Sequence, residues 1–213
     1  TVDALTVNST AVTAQANRNL NYIRNSVKAT VDAYDGTVTL YQWDEKDPVL
    51  ATWMKVFPGT VTPKAKMSAE LLDHIRYPAD LFRVQRDVLS SYHVTTAGAF
   101  YGGQDFWRVP RDPSTFGGNA NAQPPYYMTL QMPGSNAPTF SLTTPFVPRG
   151  GRENLSAFVV ADSNAGPNYG KITVLQLPRS TNVAGPSQVA SNFEAKPEVA
   201  NSLSLLRQGG ADV

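Results

Sequence analysis

The sequence contains no cysteine and only two histidines, His74 and His93, in 213 residues. Without thiols the chain cannot form disulfides, thiolate zinc sites or a cysteine nucleophile. A histidine general base needs a nucleophile and an orienting acid within hydrogen-bonding reach. Neither histidine stands in a nucleophile-elbow or metal-binding pattern, so packing or surface roles are favoured for both.

The chain also lacks an excess of charge of either sign, and it lacks long apolar runs. Eighteen basic residues against seventeen acidic ones leave a net charge of +1, without the basic stripe that is typical of nucleic-acid binding. No apolar run approaches the roughly 18 residues of a spanning helix, and no signal peptide opens the chain. The chain as given is expected to be soluble, and its start at Thr1 suggests a fragment of something longer.

What the sequence does contain is a strong hairpin signal between Val27 and Trp43. Two runs rich in Val, Thr and Tyr flank Asp35-Gly36, a dipeptide suited to a two-residue type I′ turn. This turn predicts that Tyr34 faces Thr37 and that Val31 faces Leu40. One face of the hairpin, the predicted core face, then carries Val27, Ala29, Val31, Ala33, Val38 and Leu40.

Helical periodicity with capping signals predicts several short amphipathic helices. Asp47-Pro48 starts the first, whose apolar stripe of Leu50, Trp53, Met54 and Phe57 is expected to pack on the hairpin. Ser68 caps a second. A third runs from Pro78 to Tyr92, and Arg83, Arg86 and Asp87 point mostly away from its apolar side. The residues at helical spacing on that side are Leu81, Phe82, Gln85, Val88, Leu89 and Tyr92. Two more are predicted at Pro186 to Glu194 and Pro197 to Gln208.

Strand periodicity appears after Pro125. The predicted strands are Tyr126 to Met132, Thr139 to Phe146, Asn154 to Ala161 and Gly170 to Leu177. Short connections favour antiparallel pairing, in one sheet with the first hairpin. Because strands and helices segregate, the fold class is α+β, mainly antiparallel. We expect a flexible arm at residues 1–18, with a chance glycosylation match at Asn8-Ser9-Thr10, and a single domain at 19–213.

The segment from Gly98 to Pro125 is a long loop dense in Gly, Pro and aromatic residues, which is uncommon in a compact domain unless it binds something or is mobile. Its aromatic side chains line a groove for an apolar or sugar ligand, or are buried under the loop, and burial is favoured. The aromatic residues around it are Tyr92, Phe100, Tyr101, Phe106, Trp107, Phe116, Tyr126 and Tyr127.

Three polar patterns have both a functional and a plain interpretation. The acidic cluster Asp44, Glu45 and Asp47 offers calcium-type oxygen ligands, but a solvated loop in which Asp47 caps a helix is favoured. The pairs Gly102-Gly103 and Gly150-Gly151, the second flanked by Arg149 and Arg152, offer N–H groups to an anion, but turns are favoured. No catalytic or metal-binding residue, and no cofactor, is assigned.

Several blocks of the sequence resemble a known family. NYIRNSVKATVDAYDG, HIRYPADLFRVQRDVLSSYHV, DFWRVPRDP and FSLTTPFVPRGGRENLSAFVVADS are similar, in order, to an uncharacterised protein family, number 0182, of bacterial and largely actinobacterial membrane proteins. The similarity runs from about Asn19 to Gly210. It implies a section of an extracytoplasmic region that follows a bundle of transmembrane helices. The family has no established activity, so the resemblance implies no catalytic residues.

These observations lead to a hypothesis of a non-enzymatic, extracytoplasmic interaction or ligand-binding module of a multi-pass cell-membrane protein. Its expected partners are the rest of its own chain and a lipid, glycan or protein of the envelope, without nucleic acid. One alternative is an envelope hydrolase or transferase that uses carboxylates such as Asp105 or Asp112. Another is a structural domain that supports a transporter-like membrane bundle.

Overall fold

The computed structural model describes residues 22–114, 121–178 and 180–210. The expected arm at 1–18, the sequon at Asn8 and the aromatic residue Phe116 lie outside these ranges. Contacts along the chain group into two units. Unit 1 comprises residues 22–84 with Ser163–Tyr169, and unit 2 comprises the described residues of 85–162 and 170–210. The single domain predicted for 19–213 stays a prediction.

Unit 1 is built on a three-stranded sheet with the order β1-β2-β3. β1 and β2 are antiparallel, as the hairpin signal predicts, whereas β3 runs parallel to β2. Parallel neighbours need a crossover connection, and a helix between β2 and β3 supplies it. The elements of unit 1 are β1 (Val27–Val31), β2 (Val38–Gln42), α1 (Pro48–Val56), β3 (Val61–Pro63) and α2 (Ala69–His74).

The predicted register of the first hairpin is wrong by two residues. Val31 lies opposite Val38 rather than Leu40. The turn begins earlier because the Asp32 carboxylate accepts a hydrogen bond from the Tyr34 N–H (2.7 Å) and the Asp32 carbonyl accepts one from the Gly36 N–H (2.9 Å). A shift of two leaves each side chain on its predicted face. The predicted core face is nevertheless largely exposed near the turn, at Val31 and Val38.

Both predicted caps in unit 1 are confirmed. The Asp47 carboxylate accepts from the Val49 N–H at the start of α1, and the Ser68 hydroxyl accepts from the Leu71 N–H at the start of α2. The apolar stripe of α1 is only partly buried, however. Leu50 is in the core, whereas Trp53 and Phe57 stack on each other and stay exposed.

The helix α3 (Ala79–Tyr92) contains the boundary between the two units. Its predicted apolar side is only partly right, because Phe82 is fully buried but Val88 and Tyr92 are exposed. The prediction that Arg86 points away is wrong. Within unit 2 its guanidinium is buried and donates to the Gln123 carbonyl (2.9 Å), a non-local partner that helical periodicity cannot indicate.

Unit 2 is built on a five-stranded sheet whose central strand is β6. β6 pairs with β7 along one edge and with β5 and β4 along the other, and all pairs are antiparallel. The strands are β4 (Trp107–Arg108), β5 (Tyr126–Leu130), β6 (Thr139–Pro148), β7 (Ala157–Asp162) and β8 (Ile172–Gln176). The core of the unit comprises Trp107, Leu142, Phe146, Val147, Ala157, Val159, Val160 and Ala161.

The α+β class and the four later strands are confirmed, but their union with the first hairpin in one sheet is wrong, because the two sheets are separate. The segment from Gly98 to Pro125 also carries structure of its own. It includes most of α4 (Ala97–Tyr101), all of β4 and an isolated bridge between Arg111 and Ala122. After β8 the chain forms α5 (Pro186–Glu194) and α6 (Pro197–Gln208), both as predicted.

Candidate functional site

A cavity of about 660 Å³ lies within unit 2. Its walls come from the residues after α3, from α4 and β4, from the loop between β6 and β7, and from the end of β8. Six hydroxyl and amide side chains line it together with one guanidinium and one carboxylate. These hydroxyl and amide residues are Thr95, Thr96, Asn154, Ser156, Gln176 and Thr181.

His93 and Trp107 form one wall of the cavity. Their rings stack with centroids 3.4 Å apart and an interplanar angle of 13°. The Nδ1 atom of His93 lies 2.8 Å from the Leu89 carbonyl oxygen, and its Nε2 lies 3.0 Å from the Asp105 carbonyl oxygen. Both ring nitrogens therefore face backbone acceptors, which join the end of α3 to the loop before β4. This geometry supports the predicted packing role of His93 rather than general-base chemistry.

Asp105 has an unusual backbone conformation at the cavity. Its φ is +64°, and among the residues that the structure describes it is the only non-glycine residue with a positive φ. A left-handed conformation in a residue with a Cβ costs about 1 kcal/mol or more, and such strain clusters at functional sites. The Asp105 side chain is exposed and lines the cavity.

The loop between β6 and β7 forms a second wall. Gly150 and Gly151 have φ values of +98° and +89°, which only glycine adopts without strain, so these residues form the turn that was favoured. The turn leads directly to Arg152, whose exposed side chain lines the cavity. On the other side of the turn, the Arg149 guanidinium lies 4.9 Å from the centre of the Phe106 ring.

Backbone hydrogen bonds hold the rest of this wall in place. The N–H groups of Leu155 and Ser156 donate to the carbonyls of Val183 (2.8 Å) and Phe146 (2.8 Å). The Ser156 carbonyl in turn accepts from the Leu177 N–H (2.9 Å). Asn154 and Ser156 therefore lie on a segment that backbone hydrogen bonds hold in place.

Comparison with known proteins gives a clear family assignment. The model of the uncharacterised protein family UPF0182 matches residues 2–206. The chain belongs to this family. The resemblance seen in its sequence blocks is thereby confirmed.

The UPF0182 relatives are named without an activity. A UPF0182 protein of Thermobifida fusca is 56% identical over 214 residues, which is all of this chain and 21% of that protein. One of Streptomyces coelicolor is 55% identical over 216 residues, with the same two shares. One of Leifsonia xyli is 52% identical over 222 residues, which is 99% of this chain and 22% of that protein. The chain thus spans about a fifth of the length of these relatives.

No solved structure matches this UPF0182 chain. Within the part of the chain that the structure describes, every helix is too short or too polar to cross a bilayer. The described residues likewise include no group of three or more His, Cys, Asp or Glu side chains placed to hold a metal ion.

The acidic cluster before α1 of this UPF0182 chain is explained by helix capping. Asp47 is buried and accepts from the hydroxyls of Tyr22 (2.6 Å) and Ser26 as well as from the Val49 N–H (2.9 Å). Burial, the largest effect, raises the pKa of Asp47, but these hydrogen bonds outweigh it and the net pKa is lowered. The capping interpretation is therefore right, although the Asp47 side chain is buried rather than solvated.

The structure separates the two carboxylates of the enzyme hypothesis. Asp105 lines the cavity, whereas Asp112 is absent from the lining and accepts from the backbone and hydroxyl of Ser114 at 3.0 and 2.7 Å. The aromatic residues around the long loop also divide. Trp107 is buried and Phe106 is half-buried, whereas Tyr101 is exposed.

Most of the polar residues that line the cavity were not predicted from the sequence. His93, Asp105, Trp107 and Arg152 were singled out, but the Thr, Ser, Asn and Gln residues were not. Residues of these types are common in turns throughout the chain, so no local pattern distinguishes those that line a cavity. The pairing of β6 with β7 and of β7 with β8 brings Ser156 and Gln176 together. The stacking of His93 on Trp107, in the strand β4 that pairs with β6, brings the segment of Thr95 and Thr96 to the same cavity.

Proposed function

We propose that this chain is the extracytoplasmic ligand-binding module of a membrane protein, and that the unit 2 cavity binds a polar component of the cell envelope. The observation that carries the proposal is the cavity itself. Its volume of about 660 Å³ falls within the range of roughly 300–1,000 Å³ that is typical of small-molecule sites. The partner of the module is the remainder of its own membrane-protein chain.

The chemistry of the lining favours a hydroxyl-rich ligand such as a glycan fragment. Hydroxyl and amide side chains both donate and accept hydrogen bonds, which matches a ligand that carries many hydroxyl groups. Arg152 adds a cationic donor and Asp105 an anionic acceptor at the same cavity. The ring faces of Trp107 contribute little contact area, because Trp107 is buried and His93 stacks on it.

The same lining favours binding over glycoside hydrolysis. A hydrolase of that type places two carboxyl groups about 5–9.5 Å apart across the scissile bond. Among the described residues that line this cavity, Asp105 is the one carboxylate. Binding therefore needs no further group, whereas hydrolysis by this mechanism needs a second acid.

The proposal can be tested by native mass spectrometry of the chain after incubation with a lipid and glycan extract of the producing cell envelope. We expect a bound glycan component. We expect Gln176→Ala and Arg152→Ala to weaken its binding by about tenfold each, as loss of one ligand hydrogen bond would. The matched controls are Gln208→Ala and Arg111→Ala, because these exposed residues are outside the lining.

Three outcomes would contradict the proposal. If an adduct forms but all four variants bind it equally, the cavity is not the binding site. If a component of the extract is chemically altered, the hydrolase or transferase hypothesis takes precedence. If neither an adduct nor turnover is seen, the structural support role takes precedence.

A further inference from the structure

The helix α1 of unit 1 has an exposed apolar face in addition to the side on which Leu50 is buried. The exposed face comprises Val49, Trp53, Val56 and the C-cap residue Phe57. These residues stand at positions i, i+4, i+7 and i+8, so they fall within an arc of about 100° around the helix axis. Each keeps between 39% and 58% of its surface exposed. We call these four residues the α1 patch.

The α1 patch is held in place where the helix ends. The rings of Trp53 and Phe57 stack with their centroids 5.6 Å apart and an interplanar angle of 10°. The Phe57 N–H donates to the Trp53 carbonyl (2.8 Å), which fixes the backbone of the last turn. All residues from 55 to 60 are exposed. The two rings are therefore pre-organised at an end of α1 that is open to solvent.

The chain around the α1 patch is rich in positive charge. Residues 46–69 include four lysines, which are Lys46, Lys55, Lys64 and Lys66, and a single acidic residue, Asp47. The Asp47 carboxylate is buried and occupied by its capping hydrogen bonds. Within the described part of unit 1 the ion pairs join Arg24 to Asp44 and Arg83 to Asp80. The four lysines are therefore not neutralised by ion pairs there.

Exposed aromatic rings beside lysines match the surface of an anionic bilayer. Tryptophan suits this boundary because it combines an apolar body with an N–H donor. Amphipathic segments bury such rings below the headgroups, while lysines contact the anionic phosphates. Lys55 lies about 100° around the helix from Val56, so it flanks the α1 patch without interrupting it. Its long aliphatic stem allows the ammonium group to stay at headgroup level when the rings insert.

We propose that the α1 patch docks on the surface of an anionic lipid bilayer, with Trp53 and Phe57 inserted at the boundary between headgroups and acyl chains. The neighbouring lysines supply the electrostatic attraction. The α1 patch shares no residue with the unit 2 cavity. The proposal therefore does not rest on the proposed glycan binding, and either one can fail without the other.

The test is co-sedimentation of the whole 213-residue chain with vesicles of equal parts phosphatidylcholine and phosphatidylglycerol. We expect the chain to bind these vesicles, and to bind less at high salt because salt screens the attraction between lysines and headgroups. We also expect lipids that carry bromine on their acyl chains to quench Trp53. Trp53 is exposed whereas Trp107 is buried, so quenching by contact with lipid reports on the α1 patch.

Substitutions separate the apolar and the electrostatic contributions. We expect Trp53→Ser and Phe57→Ser to lower the partition coefficient about tenfold or more each, because each removes a ring that the bilayer would bury. Lys55→Gln should lower it about fivefold. The matched controls are Tyr34→Ser and Lys196→Gln, which replace an exposed aromatic residue and an exposed lysine outside the α1 patch. Both controls should bind as the natural chain does.

Four outcomes would overturn the proposal. The first is a lack of binding to the mixed vesicles, and the second is equal binding to pure phosphatidylcholine without salt dependence. The third is binding that the patch variants and the controls change to the same extent. The fourth is dimerisation of the chain that Trp53→Ser abolishes, which would assign the α1 patch to a second copy of the chain.

Discussion

At the scale of single residues, Lys28 makes the stability of the protein depend on pH. Burial lowers its pKa to about 8 in the folded chain, against 10.5 for an ordinary lysine. Between these values the unfolded chain binds more protons, so the free energy of unfolding rises with pH in this window. Below pH 8 the charged Lys28 amine lowers the free energy of unfolding by its full amount, about 3 kcal/mol for a shift of this size. Above pH 10.5 this destabilisation is gone.

Replacement of Lys28 with methionine checks this. We expect Lys28→Met to be more stable than the natural chain at pH 7, and we expect the difference to disappear as the pH approaches 10.5. Urea unfolding at several pH values measures it, with the exposed lysine variant Lys46→Met as control. A stability difference that stays constant from pH 7 to 10.5 would show that Lys28 keeps its ordinary pKa.

Gly185, the N-cap of α5, is a residue whose lack of a side chain is required by packing. A Cβ atom built at Gly185 would lie 2.1 Å from the Glu153 carbonyl oxygen and 3.1 Å from Val147 Cγ1. The Glu153 backbone cannot move away from this atom without disturbing its own packing. We therefore expect Gly185→Ala to lower the free energy of unfolding by about 3 kcal/mol or more. Gly166→Ala is the matched control, because nothing lies within 4 Å of its Cβ position. Equal stabilities of the two variants would refute this packing argument.

At the scale of elements, the start of α1 depends on one carboxylate. Asp47 satisfies the Val49 N–H of the first turn and accepts from Tyr22 and Ser26, which ties the preceding segment to the helix. We expect Asp47→Ala to cost about 2 kcal/mol of stability, the upper end of a capping interaction. Chemical denaturation compared with Glu45→Ala, an exposed neighbour, provides the measurement.

The pKa of Asp47, like that of Lys28, is lowered on folding, so stability rises with pH in both cases, but for Asp47 it does so in the acid range. Because the pKa of Asp47 is lowered on folding, its contribution is present above the ordinary value of 3.8 and is lost as the pH falls through the folded value. Acid unfolding of the natural chain should therefore resemble the Asp47→Ala variant at the lowest pH. A gap in stability between the two that persists in strong acid would rule this out.

The helix α3 illustrates what periodicity can and cannot indicate about an element. Its extent was predicted because Pro78 starts it and apolar residues recur at helical spacing. The prediction of its buried side was partly wrong, because the long Arg86 side chain reaches the buried Gln123 carbonyl instead of pointing to solvent. Burial of a charged side chain is decided by a partner far away in sequence, and no local pattern contains that partner.

At the scale of the whole molecule, the predicted extracytoplasmic location can be tested in a full-length UPF0182 protein. Because this chain has no cysteine, single cysteines report position without background from this region. In an otherwise cysteine-free protein, we expect Tyr34→Cys, at the fully exposed hairpin turn, to react with a membrane-impermeant maleimide in intact cells. Val159→Cys, at a buried position, should not react. Labelling of Tyr34→Cys only after the cells are permeabilised would place the domain on the cytoplasmic side.

The sequence by itself determined the local architecture and the family. Helix starts at Asp47-Pro48, Ser68, Pro186 and Pro197 were predictable because caps and prolines act over three or four residues. The four later strands were predictable because alternation and turn residues are also local. The turn at residues 149–152 was also predictable from its two glycines, since the positive φ angles of such turns favour that residue type.

Only the tertiary structure decided how these elements combine. The short parallel strand β3, the separation of the two sheets and the two-residue shift of the first hairpin depend on backbone partners that no sequence pattern names. The cavity is the clearest case. In the sequence Ser156 and Gln176 look like ordinary turn and strand residues, and the pairing of β6, β7 and β8 brings them to one cavity. Local propensity acts over a few bonds, whereas a binding site is formed by contacts between residues far apart in the chain.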